Sequence, residues 1–410
     1  MTSPTRSITN LHETNFHVGT LSPSCSSCLQ GGMLVVGVTE LCTRACYYCP
    51  NPPERTDQSY AGDIVARSDG DILREARLIN ASSACITGGE PLLKPERAAR
   101  FIALLKEEFG PEFQTHLYTC MASISHKTFR LLRDAGLDEI RFHLHAPGDT
   151  RAVEAARDYQ WRVGIEIPCI PKPWGAVEEI VETALRLGIH LVNLNEFQMA
   201  QSNHEALLQR GMRPVGTIPD EIGGTPVTDE TRRALFNDTR FLMTMQVSGS
   251  RELGMALLEE AVTWSDDAPT LHLCTTASKF TVQKVRRDRR RAQSVALPCD
   301  EVNERGCLLF GRVVCPDATV ASAVEAMAVD NDVPAERIRR YGRVVELPWF
   351  HAARLKNRLA AEAPGTVVAV CEESSYQRQR PVEDLGGEPA KGHGQKPPAG
   401  AGPLGRNQKG

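Results

Sequence analysis

Three cysteines, Cys42, Cys46 and Cys49, are spaced C-x3-C-x2-C in the stretch VTELCTRACYYCP. A structural zinc site closes with four ligands, and an ordinary four-iron cluster also takes four thiolates. Three thiolates on one short loop can instead hold three irons of such a cluster and leave the fourth open. An open iron can bind a ligand and pass it an electron. The competing reading is an incomplete zinc knuckle or unrelated buried thiols, although closely spaced cysteines in an intracellular enzyme point to metal first. The apolar run Met33-Leu34-Val35-Val36-Gly37-Val38 leads straight into the loop. It is continuous rather than alternating, as in a strand buried on both faces. Loops leaving such strands are where α/β proteins place their chemistry.

Other residues suit chemistry by type and place. Gly88-Gly89-Glu90-Pro91 follows a short apolar strand, and two glycines at a strand end let backbone approach a ligand closely. His143 and His145 stand two apart, hence on one face of a strand, as do Asn193 and Asn195. Polar side chains on a core strand need partners, and a ligand is one candidate; a locally satisfied histidine or asparagine is the other. Glu166 can face the same interior. Cys25 and Cys28 form a C-x2-C pair that supplies half of a tetrahedral metal site, a redox dithiol or a plain pair of thiols, with Cys274 as a candidate third ligand. The run KFTVQKVRRDRRRAQ, Lys279 to Gln293, is strongly basic. It is either a solvated helix face or a grip for phosphates.

The cysteine loop resembles the cluster motif of the radical S-adenosylmethionine (SAM) enzymes, including an aromatic residue, Tyr48, before the last cysteine. Segments such as ITGGEPLL, LVNLNEFQ and LHLCTTASKF are similar to a largely uncharacterised group within that superfamily related to pyruvate formate-lyase activating enzyme. The resemblance implies a 4Fe-4S cluster on Cys42, Cys46 and Cys49. It implies SAM placed by Gly88, Gly89 and Glu90, with Tyr48 near the adenine and His143 or Asn195 lining the cavity. It further implies a one-electron reductant such as flavodoxin or ferredoxin, and a 5′-deoxyadenosyl radical that abstracts hydrogen from substrate. The basic run favours a small anionic metabolite, phosphorylated or nucleotide-like, over RNA or a protein side chain. A non-catalytic zinc or nucleic-acid binding module on Cys25, Cys28 and the later cysteines is the rival from another class; nucleic acid is the less favoured partner.

Positioning these residues falls to six strands alternating with helices from Met33 to Glu196, which predicts a parallel sheet with right-handed crossovers. Six units are too few for an eightfold barrel. They suit the open (β/α)6 partial barrel that the resemblance implies, followed by a smaller α+β C-terminal domain. The expected organisation is a 1–32 segment with the C-x2-C pair, a 33–200 barrel, a 201–384 substrate or accessory region and a disordered 385–410 tail rich in Gly and Pro.

The net charge of −4 gives no global field toward nucleic acid or an anionic membrane. The N-terminal stretch has no apolar core of a signal peptide, and no apolar run is long enough for a membrane span. Thirteen cysteines, an odd number, argue for a reducing cytoplasm with metal-bound thiols rather than a disulfide scaffold.

Overall fold

The computed structural model describes residues 6–216 and 244–377, with residues 221, 222, 225, 226, 228 and 242 between them. The tail expected over 385–410 lies outside the described residues. Alternating elements form as the sequence suggests. Strands β1 (Thr9–Leu11) and β2 (Asn15–Val18) precede helix α1 (Pro23–Leu29) and strand β3 (Met33–Thr39). A short hairpin, β4 (Ser59–Ala61) and β5 (Ile64–Ala66), leads to α2 (Asp69–Leu78). Then come β6 (Ser83–Gly88), α3 (Pro95–Phe109), β7 (Gln114–Thr119), α4 (His126–Asp134) and β8 (Glu139–Phe142). They are followed by α5 (Arg151–Ala156), β9 (Arg162–Cys169), α6 (Val177–Leu187), β10 (Leu191–Glu196) and α7 (His204–Gln209). A two-residue hairpin, β11 (Glu221–Ile222) with β12 (Thr225–Pro226), precedes α8 (Ser250–Ala261) and β13 (Thr270–Cys274).

The eleven-stranded sheet runs β1-β2-β13-β10-β9-β8-β7-β6-β3-β4-β5. The six expected βα units are there, and a seventh strand extends them: β13 pairs parallel with β10, Asn193 opposite His272. The N-terminal residues are also part of this sheet, since β2 pairs antiparallel with β13. The two outermost strands, β1 and β5, each pair on one side alone, so the sheet stays open, as a partial barrel does.

Period-two alternation divides every central strand. One face carries Leu34, Val36, Ile86, Leu117, Ile140, Ile165, Val192 and Leu271, all packed into one apolar core with the helices. The other faces the interior with His116, Tyr118, Arg141, Glu166, Asn193, Asn195, His272 and Cys274. The continuous apolar run of β3 puts Leu34, Val36 and Val38 in the core, while Met33 and Val35 face the interior half-buried; the polar inner positions come from the neighbouring strands.

Chain punctuation follows local chemistry. Ser125 caps α4, its hydroxyl accepting from the Thr128 N–H at 3.1 Å, and Gly188 ends α6 in the left-handed conformation. Thr150 precedes α5 and makes no side-chain cap. β8 ends at Phe142, so His143 and His145 sit just beyond the strand rather than within it.

Past β13, a wide π-helical stretch, Ser278–Gln283, continues into α9 (Lys284–Val295). Beyond it, β14 (Glu301–Val302), β15 (Cys307–Val314), α10 (Ala318–Asp330), β16 (Arg339–Tyr341), β17 (Val344–Leu347), α11 (Trp349–Glu362) and β18 (Val367–Ser374) form an antiparallel sheet with its own apolar core. Helix α10 was not expected from the sequence; Asp317 caps it by accepting from Thr319 and Val320 N–H groups, each at 2.8 Å.

Candidate active site

The loop after β3 brings Cys42, Cys46 and Cys49, all half-buried, to the rim of a cavity of about 510 Å³. None is in a disulfide. The Cys49 N–H donates to Cys46 O at 3.0 Å, closing a turn that sets the two thiols. Arg55 Nη2 donates to Cys49 Sγ at 3.2 Å, and the Arg44 N–H points at Cys42 Sγ at 3.4 Å. Donors aimed at sulfur suit thiolates carrying charge.

Among the described residues, no three His, Cys, Asp or Glu side chains converge on a point that could hold a metal ion. A four-iron cluster takes its thiolates at separate corners of a large body, so its ligands need not converge. A fourth cysteine, Cys120, also borders the cavity. Its thiol interacts directly with that of Cys42, and burial, Glu90 and Cys42 together push its pKa well up. Cys120 leaves the end of β7, apart from the loop that carries the other three. The loop therefore fits a three-thiolate site.

Gly88 and Gly89 line the same cavity and are required by packing. Gly88 has φ +133°, and a Cβ on it would lie 2.2 Å from Thr39 O. One on Gly89 would lie 2.2 Å from Glu40 O and 2.3 Å from Leu41 O. The Gly89 and Glu90 N–H groups donate to Thr39 O and Leu41 O at 2.7 and 2.8 Å. The glycine pair thus seats the start of the cysteine loop. Glu90 does not border the cavity. Fully buried, its carboxylate accepts from Leu92 N–H (2.9 Å), Thr119 Oγ1 (2.9 Å) and Cys120 N–H (2.7 Å), tying the end of β6 to β7.

Tyr48 turns its hydroxyl to His143 Nε2 at 2.7 Å and to His145 Nδ1 at 3.4 Å. Burial, then Cys46, pushes the phenol pKa well up, and burial, then His145, pulls His143 down to about 4. Tyrosine and histidine are therefore neutral near pH 7. Asn195 lines the cavity and donates from Nδ2 to Glu166 Oε1 at 2.9 Å; Glu166 Oε2 accepts from Arg141 Nη1 at 2.8 Å. Asn193, expected beside Asn195, sits deeper in the interior.

Arg141 belongs to the interior although it stands in no motif. Arg141, almost fully buried, bonds Glu139, Glu166, Ser22 Oγ (3.0 Å) and Cys25 Sγ (3.2 Å). Its place midway between Glu139 and His143 in EIRFHLH was the available signal. Lys279 comes from the basic run, but enters the cavity instead of facing solvent.

Two expectations are corrected. The second metal site at Cys25 and Cys28 does not form among the described residues, because α1 sends these thiols to hydrogen-bond partners. Cys25 accepts from Arg141, Cys28 donates to Gln283 Oε1 at 3.1 Å, and Gln283 Nε2 donates to Cys274 Sγ at 3.3 Å. Three arginines of α9 are likewise taken up by the fold. Arg286 donates to Leu29 O (2.7 Å) and Arg290 to Asn80 O (2.9 Å), while Arg291 holds Glu75 at 2.8 and 2.9 Å. They present no common face to a phosphate.

Residues 36–195 match the family model described as the Radical SAM superfamily. These residues are similar to that superfamily, and the chain is an enzyme of the radical SAM type, a class that works with a 4Fe-4S cluster and SAM. A Methanocaldococcus jannaschii protein, MJ0021, whose name marks it as a candidate glycyl-radical enzyme activating enzyme, is 27% identical over 331 residues, 78% of this chain and 80% of that one. Among solved structures, Streptococcus suis SuiB overlaps 61% of this chain and 51% of its own at 14% identity and a TM-score of 0.36. Escherichia coli coproporphyrinogen III oxidase (HemN), a radical SAM enzyme, overlaps 52% and 60% at 13% identity and a TM-score of 0.30. No helix of the described residues is long and apolar enough to cross a membrane.

Proposed function

We propose that Cys42, Cys46 and Cys49 hold the cluster, and that the enzyme acts on a small anionic metabolite enclosed within the sheet. These residues would hold a cluster that, when bound, would supply the electron for cleaving SAM to methionine and a 5′-deoxyadenosyl radical. The observation that supports this reading is the meeting of three thiols, the Gly88-Gly89 backbone and a polar interior at one cavity. The chain's own residues position and exclude. Gly88 and Gly89 leave backbone bare for SAM, with Glu90 bracing them from behind. Tyr48 and His143, both neutral, offer a flat polar wall, and Asn195 with Glu166 offers an acceptor and donor pair for a ribose. No general base is needed for carbon–hydrogen cleavage by a radical; the site has to orient reactants and keep water out.

Of the basic run that favours an anionic substrate, Arg286, Arg290 and Arg291 are structural. That preference now rests on Lys279, which faces the cavity with no side-chain hydrogen bond or ion pair among the described residues. A flavodoxin or ferredoxin serves as reductant, and the cytoplasm is the compartment that keeps these thirteen thiols reduced. The test is anaerobic reconstitution of the full chain. Binding of about four irons, with 5′-deoxyadenosine formed on reduction, supports the reading; a colourless, zinc-loaded protein sinks it.

A second reading, radical formation on a glycine of a partner protein, is favoured by the name of the archaeal relative. Deuterium passing into 5′-deoxyadenosine from a labelled small metabolite separates the two, because a protein-glycyl donor would leave that label untouched.

A further inference from the structure

Beneath the cluster cavity lies a second chamber of about 330 Å³, walled by the inner faces of the strands and floored by α1. Tyr118, Glu166, Asn195 and Phe280 border both spaces, so the two adjoin inside the sheet. Its size is at the lower end for small-molecule sites. Three side chains facing it are buried yet incompletely bonded. Asn193, 4% exposed, has an amide oxygen without a partner, and His116 and His272 each have an unpartnered Nδ1. Buried polar groups are ordinarily paired, by protein, water or ligand. Here three converge on one space.

The charge balance points to the ligand. Arg141 is matched by Glu139 and Glu166, and Lys284 by Asp288. Burial, then Arg141, holds His116 and His272 down to about 3, so both are neutral; burial keeps the Cys25, Cys28 and Cys274 thiols protonated. Two cations remain. Lys279 borders the chamber without an ion pair, and Arg287, whose Nε is buried without a partner, feels Asp63 and Asp288 only from beyond ion-pair distance. Two half-buried cations without an ion pair at one chamber suit an anion held between them.

We propose that this chamber binds a small hydroxy- or amino-carboxylate, the carboxylate meeting Lys279 and Arg287 and the hydroxyl or amino group meeting Asn193 and His272. A phosphate ester fits less well, since beyond the two cations the free contacts are an amide, neutral imidazoles and thiols rather than a ring of backbone N–H donors. The inference rests on the radical reading for the ligand's fate, and on the chamber alone for its binding.

The experiment is ligand-observed NMR on anaerobically reconstituted full chain, with L-lactate, L-malate, glycine and L-glutamate as probes and inorganic phosphate as contrast. At least one carboxylate should bind, more tightly than phosphate. Lys279→Gln should weaken it about tenfold or more, as expected for a hydrogen bond to a charged group. Asn193→Ala should weaken it too. Lys279→Gln should melt as the parent does, because its side chain bonds nothing in the fold. Binding of none of the four, preference for phosphate, or equal affinity in Lys279→Gln overturns the proposal. Failure of the radical reading shows separately, as missing iron or missing 5′-deoxyadenosine, with carboxylate binding intact.

Discussion

Cys120 is the residue on which a three-thiolate site could fail, because it borders the cavity beside Cys42. If the two thiols share one corner, only one is a ligand. Cys42→Ala should then lose the cluster, while Cys120→Ala should keep about four irons per chain and still cleave SAM. Iron assay and low-temperature electron paramagnetic resonance measure both. Loss of the cluster in Cys120→Ala would mean a fully ligated cluster with no open iron. Arg55 makes a second test at this scale. Its guanidinium donates to Cys49 Sγ, and a positive donor at a cluster sulfur stabilises the reduced, more negative state. Arg55→Gln should lower the midpoint potential by tens of millivolts in a redox titration, with iron content unchanged. The three cysteines were legible because their spacing is local. Arg141 was not, because its partners Ser22, Cys25 and Glu166 meet only in the folded sheet; Lys279 was legible as part of a basic run, but its entry into the cavity was not.

At the scale of elements, β6 and the cysteine loop behave as one unit. The backbone of Gly88 and Gly89 is in contact with Thr39, Glu40 and Leu41, leaving no room for a side chain. Gly89→Ala must push the loop away from β6, at a cost of about 1–3 kcal/mol. It should also cut iron retention several-fold, because Cys42 follows directly on the displaced segment. Denaturant titration and iron content check the two effects; unchanged iron would show that the loop tolerates the shift. The GGEP stretch was legible as a turn near the site. That its glutamate braces β7 instead of facing the cavity was not, since Thr119 and Cys120 lie some thirty residues away in sequence. The alternation of strands and helices was readable from 33 to 196 because period two and period 3.6 differ sharply there. Strand β13 was readable as a strand. Its membership of the sheet depends on pairing with β10 across an intervening stretch whose sequence has no clear period.

For the whole molecule, α9 is the strut that the basic run builds. Arg286 reaches the end of α1, Arg290 the carbonyls after α2, and Arg291 both Glu75 on α2 and the Ser375 carbonyl beyond β18. Arg291 also lies over the Tyr376 ring, 4.0 Å from its centroid. A single helix thus joins the large sheet to the C-terminal one. The charges differ greatly in burial: Glu75 is 1% exposed and Arg291 6%, whereas Arg289 faces solvent. Removing one member of a buried pair leaves the other uncompensated, so Arg291→Met should cost about 3–5 kcal/mol. Arg290→Gln should cost about 0.5–1.5 kcal/mol for its hydrogen bonds, and Arg289→Gln no more than about 0.5 kcal/mol. The double variant Glu75→Leu with Arg291→Met should recover much of the loss, since apolar packing can replace a buried ion pair. Urea denaturation of the four proteins gives these values directly. Carboxylate binding in the chamber should be unchanged in Arg289→Gln and Arg290→Gln. Loss of that binding in Arg289→Gln would return the anion to the outer face of α9 and leave Lys279 without its ligand.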